Sequence, residues 1–444
     1  MGGGLLQLVA YGAQDAYLSG NPQITFWKGL FKRHTNFAME PFRVNLTGQA
    51  NWGVKHSAIL GRHADLLYST YIEVALAPGV YNNDQGRLGY NLVKYVELDI
   101  GGQVIDRLYG EWLFLWDCLS SSVQQGAKLN RMVGAGDLVS DPSNIGLLTV
   151  PDTTTCNEGS GRPGTPTVVY IPLTFFYTKN PGAALPLIAL QYHEVKINIQ
   201  WNDQKMIAGD FTAASSTTPQ PIQAAIYVDY IYLDTEERRR MAQQSHEYLI
   251  EQTQYNEDKG ISSYNNRIDL TFNHPVKELV WVVQPANYTD CRLPGERTRL
   301  TPFTYDRAAV YEQWLQINGQ DRLDKRYGDY FNKVQPYQHH TGSFNAVNDV
   351  FGIFVNAPGL PEMVPANRVQ SGAYMYSFAL RPEEHQPSGT CNFSRIDTAT
   401  IVLTVDGGVT ISPDSDETWD VRVYAVNYNI LRVMSGMGGL AYSN

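Results

Sequence analysis

Short apolar runs, separated by polar and turn-rich stretches, make up most of this chain. In residues 66–76, Val74 and Leu76 alternate with Glu73 and Ala75, which is the period-two pattern of a strand with one buried face. Because the runs do not alternate with long amphipathic helices, they favour an all-β protein over a parallel α/β sheet. Comparable runs recur along the chain, at 92–98, 168–176, 187–201, 226–233, 268–272, 278–283 and 309–315.

One stretch occurs twice. The first copy reads IGGQ at 100–103 and YGEWL at 109–113, and the second reads INGQ at 317–320 and YGDYF at 327–331. In each copy a Gly-Gly or Asn-Gly pair ends a strand-like run, as a tight hairpin turn with positive φ requires. The turns are 217 residues apart, close to half of the 444-residue chain, so the repeat predicts two tandem domains of one design.

Two weaker repeats keep the same order. Residues 173–176 match 376–379 at an offset of 203, and residues 226–233 match 421–430 at an offset of 195. Each half then has about eight short strands joined by uneven loops. The predicted fold is all-β, with two tandem jelly-roll β-sandwich domains and short helices in the connections.

Changes in composition give the domain boundaries. After residue 233 the chain changes to helix formers, with acidic residues first and basic residues later, as the helix dipole prefers. The small residues at the end of the chain predict a flexible tail. The predicted segments are an N-terminal arm (1–24), a first jelly roll (25–235), a helical linker (236–247), a second jelly roll (248–434) and a C-terminal tail (435–444).

Residues 24–37 interleave aromatic and basic side chains, among them Phe26, Trp27, Lys32 and Arg33. One interpretation is a basic and aromatic contact with a membrane surface or a partner. The preferred one is a first element that packs on its own domain with its cations in solvent, because the segment is short and its helical period is imperfect.

Composition limits the function classes. Lys and Arg number 34 against 44 acidic residues, a net charge of −10, and this disfavours a protein whose main task is to hold duplex DNA. No stretch approaches the roughly 18 apolar residues that span a bilayer. The 28 Tyr, 38 Gly and 23 Pro favour sheets joined by many turns.

Candidate catalytic and metal-binding residues form only three small groups. His193-Glu194 would point to opposite faces of a strand, and His339-His340 lacks the spacing that places two imidazoles on one helical face. Glu383-Glu384-His385 contains adjacent carboxylates, which rarely flank one glycosidic bond from two sides. Neither a nucleophile elbow nor a phosphate-binding loop occurs, so we expect no catalytic site, no metal site and no cofactor.

Three sequons are candidate N-glycosylation sites: Asn45, Asn287 and Asn392. Three-residue patterns arise often by chance, and the N-terminus lacks the features of a signal peptide. Unmodified asparagine is therefore the expectation, with Asn287, in a polar loop, the best acceptor of the three.

Four motifs in order resemble the double jelly-roll major capsid proteins of large icosahedral double-stranded DNA viruses, of the chlorovirus and iridovirus type. The resemblance covers nearly the whole chain, although loops vary within the family. The motifs are LVAYGAQD (8–15) with GNPQITF (20–26), LPLIALQYHE (185–194), FALRP (378–382) with QPSGTCNFSRID (386–397), and MSGMGGLAY (434–442).

This resemblance implies a late structural protein without enzymatic activity. It implies a homotrimer whose six jelly rolls form a pseudo-hexagonal capsomer. Such capsomers would tile the virion shell around an internal membrane, in contact with neighbouring capsomers, minor capsid proteins and penton proteins. Assembly would take place in the host cytoplasm, without direct nucleic-acid binding. We expect the arm and the tail on the inner face, with the arm as the membrane contact, and the loops at 134–167 and 336–372 on the outside.

Two other functions stay open. A carbohydrate-binding jelly-roll module is the first, because aromatic-rich sandwiches commonly bind sugars in loops. A β-sandwich glycosidase that uses Glu383 or Glu384 is the second. Neither accounts for the order of the four motifs.

Overall fold

The structure is a computed structural model that describes residues 2–27, 29, 31–76, 88–134, 167–203, 222–285, 310–344, 372–405 and 418–442. Its helices are α1 (Gly3–Val9), α2 (Ala16–Ser19), α3 (Leu88–Leu92), α4 (Gly110–Ser120), α5 (Val123–Met132), α6 (Phe176–Lys179), α7 (Thr235–Gln243) and α8 (Gln335–His339). Shorter turns are 3-10 helical at Ala13–Asp15, Pro181–Ala183 and Phe393–Arg395, and a π-helical turn spans Tyr330–Val334.

Two sheets form the first sandwich. Strands β1, β9, β3 and β6 pair in that order, with β7 on β3, and strands β2, β8, β4 and β5 form the second sheet. The strands are β1 (Phe37–Asn45), β2 (Lys55–Leu60), β3 (Leu66–Leu76), β4 (Val93–Ile100), β5 (Gln103–Tyr109), β6 (Thr167–Pro172), β7 (Leu185–Pro186), β8 (Val195–Trp201) and β9 (Ile222–Leu233).

Two further sheets form the second sandwich. In one sheet, strands β10, β19, β12 and β16 pair in that order, with β17 on β12 and β20 on β19. In the other sheet, strands β11, β18, β13 and β14 pair in that order, with β15 on β13. The strands are β10 (His246–Ile261), β11 (Asn265–Asp269), β12 (Pro275–Pro285), β13 (Val310–Ile317), β14 (Gln320–Asp321), β15 (Arg326–Tyr327), β16 (Ala373–Ser377), β17 (Cys391–Asn392), β18 (Ala399–Val405), β19 (Trp419–Met434) and β20 (Met437–Leu440).

The two sandwiches have the same topology. If the eight main strands of each half are numbered from one to eight, both halves contain one sheet in the order 1-8-3-6 and one in the order 2-7-4-5. That order places the first strand beside the last, which is the jelly-roll arrangement. The predicted fold class, two tandem jelly rolls in an all-β chain, is confirmed.

The repeated turn lies at the same place in both halves. Gly101 and Gly102 have φ of 63° and 89° between β4 and β5, and Asn318 and Gly319 have φ of 50° and 75° between β13 and β14. Two positive φ values in a two-residue loop give the hairpin turn whose twist matches that of its strands. Glycine or asparagine is needed there because other side chains rarely adopt this region.

The segment between the sandwiches is helical. Asp234 caps α7 by accepting a hydrogen bond from Thr235 N at 2.8 Å, and Glu236 and Glu237 occupy the first turn. Strand β10 already begins at His246, inside the predicted linker. The predicted domain boundaries themselves stay a prediction.

Met1–Phe37 forms a unit of its own, separate from Ala38–Asn444. None of its described side chains is buried, although the sequence predicted that 24–37 would pack on its own domain, and Trp27 is 84% exposed. The described part of 20–36 adopts neither helix nor strand, so its apolar side chains do not collect on one face. Lys28 and Leu30 lie outside the described residues.

The hydrophobic cores differ in extent. One cluster lies within the second sandwich, whereas the other joins the first sandwich to the near face of β12 and β19, through Val280, Val282 and Val426. The opposite face of these strands, with Leu279 and Val423, faces the core of the second sandwich. The sheet that contains β12 and β19 is therefore buried on both sides, and β19 is accordingly buried without alternation from its start to Asn429.

Candidate functional site

The candidate functional site is the junction between the two sandwiches, and helix α4 is its central element. Trp112 and Trp116 on α4 are buried, as are Leu113, Leu115 and Leu119. Apart from the carboxylates of Glu111 and Asp117 and the terminal Ser120, the helix is apolar on all sides, and such a helix belongs in a protein interior. Its start requires glycine, because a Cβ on Gly110 would overlap the carbonyl oxygens of Tyr90 and Val93.

A bidentate ion pair joins α4 to the second sandwich. Arg422, on β19, donates from Nε to Glu111 Oε2 and from its terminal nitrogen to Oε1, both at 2.7 Å. Arg422 also donates to Gln284 Oε1 at 2.6 Å, and Tyr424 donates to Glu111 Oε2 at 2.6 Å. Burial alone would lower the pKa of Arg422, but the charge of Glu111 outweighs it and raises the pKa. The pair therefore stays charged, in the fork geometry that makes such bonds strong.

Glu251, on β10, is the centre of a second buried charge cluster. It accepts from Lys277 Nζ at 2.7 Å and from Lys179 Nζ at 3.0 Å, and Lys179 belongs to the first sandwich. Burial acts to raise the pKa of Glu251, but the charges of Lys179 and Lys277 lower it to about 2. Both ammonium groups also lie over the Trp116 ring, at 4.1 Å for Lys179 and 5.7 Å for Lys277.

Asp106, on β5, closes the free edge of β10. One carboxylate oxygen accepts from Thr253 N and from Arg107 N, each at 2.9 Å, and the Gln252 amide donates to Ile105 O beside it. An open edge strand invites pairing with another chain, and these contacts occupy part of that edge. Burial raises the pKa of Asp106 to about 7, although the two backbone donors lower it.

The segment after α8 joins the second sandwich to the end of α4. His340 bridges Glu278 Oε2 and Glu383 Oε1, each at 2.9 Å, and Glu383 also accepts from Thr341. Burial acts to lower the pKa of His340, but the charges and hydrogen bonds of Glu278 and Glu383 raise it to about 9. The ring meets Trp116 edge-on at 6.2 Å.

Gly342 and Phe344 complete this contact. Gly342 N donates to Leu119 O at 2.6 Å, and a Cβ on Gly342 would overlap the carbonyl oxygen of Cys118. Phe344 is buried in the core cluster of the first sandwich. Residues 336–344 were predicted to begin a loop on the outside of the shell. In the structure 336–339 belong to α8, and Gly342 caps the carbonyl end of α4. Their position on the shell stays a prediction. Residues 345–371 of that loop, and residues 135–166 of the loop predicted at 134–167, lie outside the described residues.

The C-terminal segment forms a hairpin rather than the flexible tail that the sequence predicts. Ser435 and Gly436, with φ of 55° and 81°, turn β19 into β20. Tyr192 N donates to Gly436 O at 2.9 Å, and the His193 ring lies 2.9 Å from Gly438 O. The hairpin thus fastens the end of the second sandwich to the surface of the first.

The structure does not bring the sequence-predicted ligand residues together. His193 contacts the hairpin, while Glu194 pairs with Lys196 at 3.1 Å. Glu384 pairs with exposed Arg381 at 3.0 Å, whereas Glu383 is held by His340 and Thr341 as described above. These contacts give the two carboxylates separate structural partners.

Two sequons lie in the described part of the chain. Asn45 ends β1 and is exposed. Asn392 is exposed, and its side-chain oxygen accepts from Ser394 N at 3.1 Å. Asn287 lies outside the described residues. Across the described ranges, no group of three His, Cys, Asp or Glu side chains is placed to hold a metal ion, and no helix is long and apolar enough to cross a membrane.

Two family models together match most of the chain. The model described as "Major capsid protein N-terminus" matches residues 25–234, and the one described as "Large eukaryotic DNA virus major capsid protein" matches residues 237–346 and 363–439. The chain belongs to the major capsid proteins of large eukaryotic DNA viruses.

Individual relatives agree with this assignment. The capsid chain is 46% identical over 447 residues to the major capsid protein of Pyramimonas orientalis virus, with all of both chains covered. It is 38% identical over 497 residues to that of Paramecium bursaria Chlorella virus 1, again over the full length of both. The crystal structure of VP54 from PBCV-1 matches with a TM-score of 0.74 and 34% identity, covering 95% of this chain and 100% of VP54.

The sequence of this capsid protein did not lead us to predict the charged residues of the junction. Arg422 and Lys277 stand inside apolar strand runs, and a charge in such a position is a signal of a buried partner. The partner cannot be found by inspection, since Glu111 and Arg422 are 311 residues apart.

Proposed function

We propose that this capsid protein is a structural subunit that forms homotrimers with a pseudo-hexagonal outline, and that these capsomers tile an icosahedral shell. The observation that supports it is the identical topology of two sandwiches joined by a buried, ionically paired junction. Three copies would present six equivalent walls. Such a contact between copies is heterologous and closes into a ring.

The junction gives each subunit a fixed shape. Charged contacts that are desolvated and bidentate, such as the pair of Arg422 with Glu111, hold two bodies in one register. A subunit in a regular lattice needs this property, because every copy must present its contact surfaces in the same relative orientation.

The separate N-terminal unit supplies contacts outside the sandwiches. Phe26, Trp27 and Phe31 are exposed, and Lys32 and Arg33 follow without a nearby acidic residue. This composition suits a surface that buries aromatic rings and neutralises cations, such as a neighbouring capsomer, a minor capsid or penton protein, or the internal membrane. We assign this unit and the C-terminal hairpin to the inner face of the shell.

The proposal includes no catalysis, no cofactor and no direct binding of nucleic acid. The net charge of −10 supports a shell that is separate from its genome. Assembly is assigned to the host cytoplasm, and the mature location is the virion shell. Asn45, Asn287 and Asn392 remain candidate glycosylation sites.

Light scattering of the purified chain, followed by negative-stain imaging of the main peak, tests the proposed assembly. The expected species has three times the chain mass of 49.8 kDa and a hexagonal outline. A stable monomer at all concentrations would contradict the trimer and leave the fold unchanged.

Deletion of residues 1–36 tests the role of the N-terminal unit, and deletion of residues 1–24 alone tests the arm without removing the aromatic and basic residues at 26–33. The expected result is intact trimers that no longer assemble into shells. Loss of the trimers would show that this segment serves the capsomer itself rather than the contacts beyond it.

A further inference from the structure

One face of the first sandwich carries an aromatic and acidic patch. Tyr71 and Tyr227 pair across β3 and β9, with their rings stacked at 5.3 Å and 8°, and Tyr170 meets Tyr71 edge-on at 6.1 Å. Glu73 follows Tyr71 by two residues on β3, and Asp229 follows Tyr227 by two residues on β9. Because side chains two residues apart in a strand point to the same side, both carboxylates lie on the face of the tyrosines. We call Tyr71, Glu73, Tyr170, Tyr227 and Asp229 the tyrosine face.

The charges of the tyrosine face are not neutralised within the described chain. None of the described cations forms an ion pair with Glu73 or Asp229. Burial is the main cause that raises the pKa of Tyr71, followed by the charges of Tyr227, Asp229 and Glu73. All five side chains are partly exposed. Stacked rings with unpaired carboxylates fit a partner that supplies both an apolar surface and a cation.

The equivalent face of the second sandwich is already covered. There, Val282 pairs with Arg422 and Val280 pairs with Tyr424, on strands that correspond to β3 and β9. Helix α4, which follows the fifth strand of the first sandwich, packs on them, with Trp112 5.5 Å from the Tyr424 ring. Within the chain, the element after strand five of one sandwich covers the 1-8-3-6 sheet of the other.

The element after strand five of the second sandwich has no such partner among the described residues. It consists of Tyr330–Val334 and α8. It follows β14 and β15, which together pair with β13 as β5 pairs with β4, and it begins two residues after Gly328, the counterpart of Gly110 in the repeat. Its buried side of Phe331, Asn332, Gln335 and Pro336 holds it on the second sandwich. Its other side exposes Lys333, Val334, Tyr337 and Gln338, with Tyr337 87% exposed. We call these four residues the helical ridge.

We propose that the tyrosine face of one copy binds the helical ridge of a second copy. The contact rests on the proposed homotrimer and specifies which surfaces form it. Within one copy, α4 of the first sandwich covers the 1-8-3-6 sheet of the second. The proposed contact does the same between copies, because the ridge of one second sandwich covers the 1-8-3-6 sheet of the next first sandwich. In a ring of three copies, contacts within a chain and contacts between chains therefore alternate. Because the face and the ridge are different surfaces, the contact is heterologous. When the ring closes, no tyrosine face and no helical ridge is left unbound.

The chemistry of the two surfaces is complementary. Lys333 brings a cation to the carboxylates of Glu73 and Asp229, and the Tyr337 ring and Val334 bring apolar surface to the three tyrosines. In the free chain Lys333 pairs with Asp329 at 3.0 Å, and both side chains are about half exposed. An exposed pair at this spacing is weak, so Lys333 can exchange partners at little cost.

Charge exchange in the full-length chain tests the contact by light scattering over a concentration series. Lys333→Glu and Asp229→Lys should each raise the concentration for half-assembly by about tenfold, which is about 1.4 kcal/mol. The two changes in one chain should restore most of the loss. Arg432→Glu is the control, because Arg432 is also a half-exposed cation in an exposed ion pair but lies on neither surface.

Cross-linking identifies the geometry. Chains with Tyr227→Cys are mixed with chains carrying Tyr337→Cys and treated with a short thiol cross-linker, against the wild-type chain with its own four cysteines as background. The expected product joins one chain of each kind. Links between two Tyr227→Cys chains or two Tyr337→Cys chains would show an isologous contact and overturn the proposal.

The outcomes separate this contact from the trimer itself. Trimers that resist both charge changes and give no mixed cross-link would overturn the contact and leave the homotrimer standing. A wild-type chain that never associates would overturn both. Binding of the wild-type chain to anionic vesicles that Lys333→Glu abolishes, without mixed cross-links, would assign the ridge to a membrane surface instead.

Discussion

The two 1-8-3-6 sheets have one topology and opposite surroundings. In the second sandwich, the face with Arg422 and Tyr424 is covered by α4 and is part of the joint core. In the first sandwich, the face with Tyr71 and Tyr227 is partly exposed, and β3 alternates between buried and half-buried positions. The same backbone arrangement therefore carries a continuous buried strand in one half and an alternating strand in the other.

This difference shows how a duplicated domain acquires two roles. The charged groups of the covered face have ion-pair partners, as buried charges require. Arg422 pairs with Glu111, and Glu278 pairs with His340 through Oε2. Glu278 Oε1 accepts no hydrogen bond from the described residues. The partly exposed face keeps carboxylates that have no described partner, because water still solvates them. A duplicated fold can thus use one copy of a surface to fix the subunit and leave the other available for the contact between copies that we propose.

The largest effect is expected from Arg422→Met. The change removes the buried cation that pairs with Glu111, whose own side chain is 18% exposed, and breaking a buried pair typically costs about 3–5 kcal/mol. Urea unfolding followed by tryptophan fluorescence measures the loss. Arg432→Met is the control, because its pair with Glu247 is exposed and should contribute about 0–1 kcal/mol. Equal losses for the two variants would mean that the covered face has no special energetic role.

Gly342→Ala should come second. The added methyl group overlaps the carbonyl oxygens at the end of α4, and overpacking of this kind costs about 1–3 kcal/mol. The same exchange at Gly126, where no atom lies closer than 4.0 Å to a new Cβ, should leave the free energy of unfolding unchanged or slightly higher. A neutral Gly342→Ala variant would show that α4 and residues 340–344 do not pack as described.

The pH dependence of stability should report His340. Its pKa is raised to about 9 in the folded chain, so its contribution is complete below about 6.5 and is lost as the pH rises through 9. Each pKa unit corresponds to about 1.4 kcal/mol, which sets an upper limit of about 3 kcal/mol. The difference in unfolding free energy between the wild type and His340→Gln should shrink from pH 6.5 to pH 9. A difference that stays constant would mean that His340 is neutral in the fold.

The smallest effect is expected on the partly exposed face. Asp229→Asn removes a charge without a described partner, so the unfolding free energy of the single chain should change by no more than about 0.5 kcal/mol. Glu251→Gln makes the same kind of exchange in the junction and should cost several times more. A large loss at Asp229 would mean that this face is covered within the chain, and the contrast between the two sheets would fail.

The sequence predicts the parts of the fold that depend on local chemistry. The Gly-Gly and Asn-Gly turns and the alternating strand at Leu66–Leu76 are examples, because positive φ and period-two burial leave direct marks on residue choice. The repeat predicts two equal halves, whereas the strand order within each sheet comes from the structure.

Other parts depend on distant partners and leave weaker marks. Strand β20 reads as a small, flexible tail, yet it pairs with β19 and contacts His193, 245 residues before Gly438. Residues 336–340 read as the start of a loop, yet 336–339 belong to α8, which packs on β16. The pattern of apolar and polar residues within one segment does not show which distant segment it pairs with.

The strand order 1-8-3-6 has a consequence for how the chain is made. Strand β1 pairs with β9, and β10 pairs with β19, so each sandwich is completed by its own last strand. During synthesis the first sandwich remains unfinished until Leu233 has left the ribosome, and the second until Met434 has done so. Such non-local pairing slows folding and exposes apolar strands meanwhile. The nascent chain therefore carries β10 without its partner for most of the time in which the second half is translated.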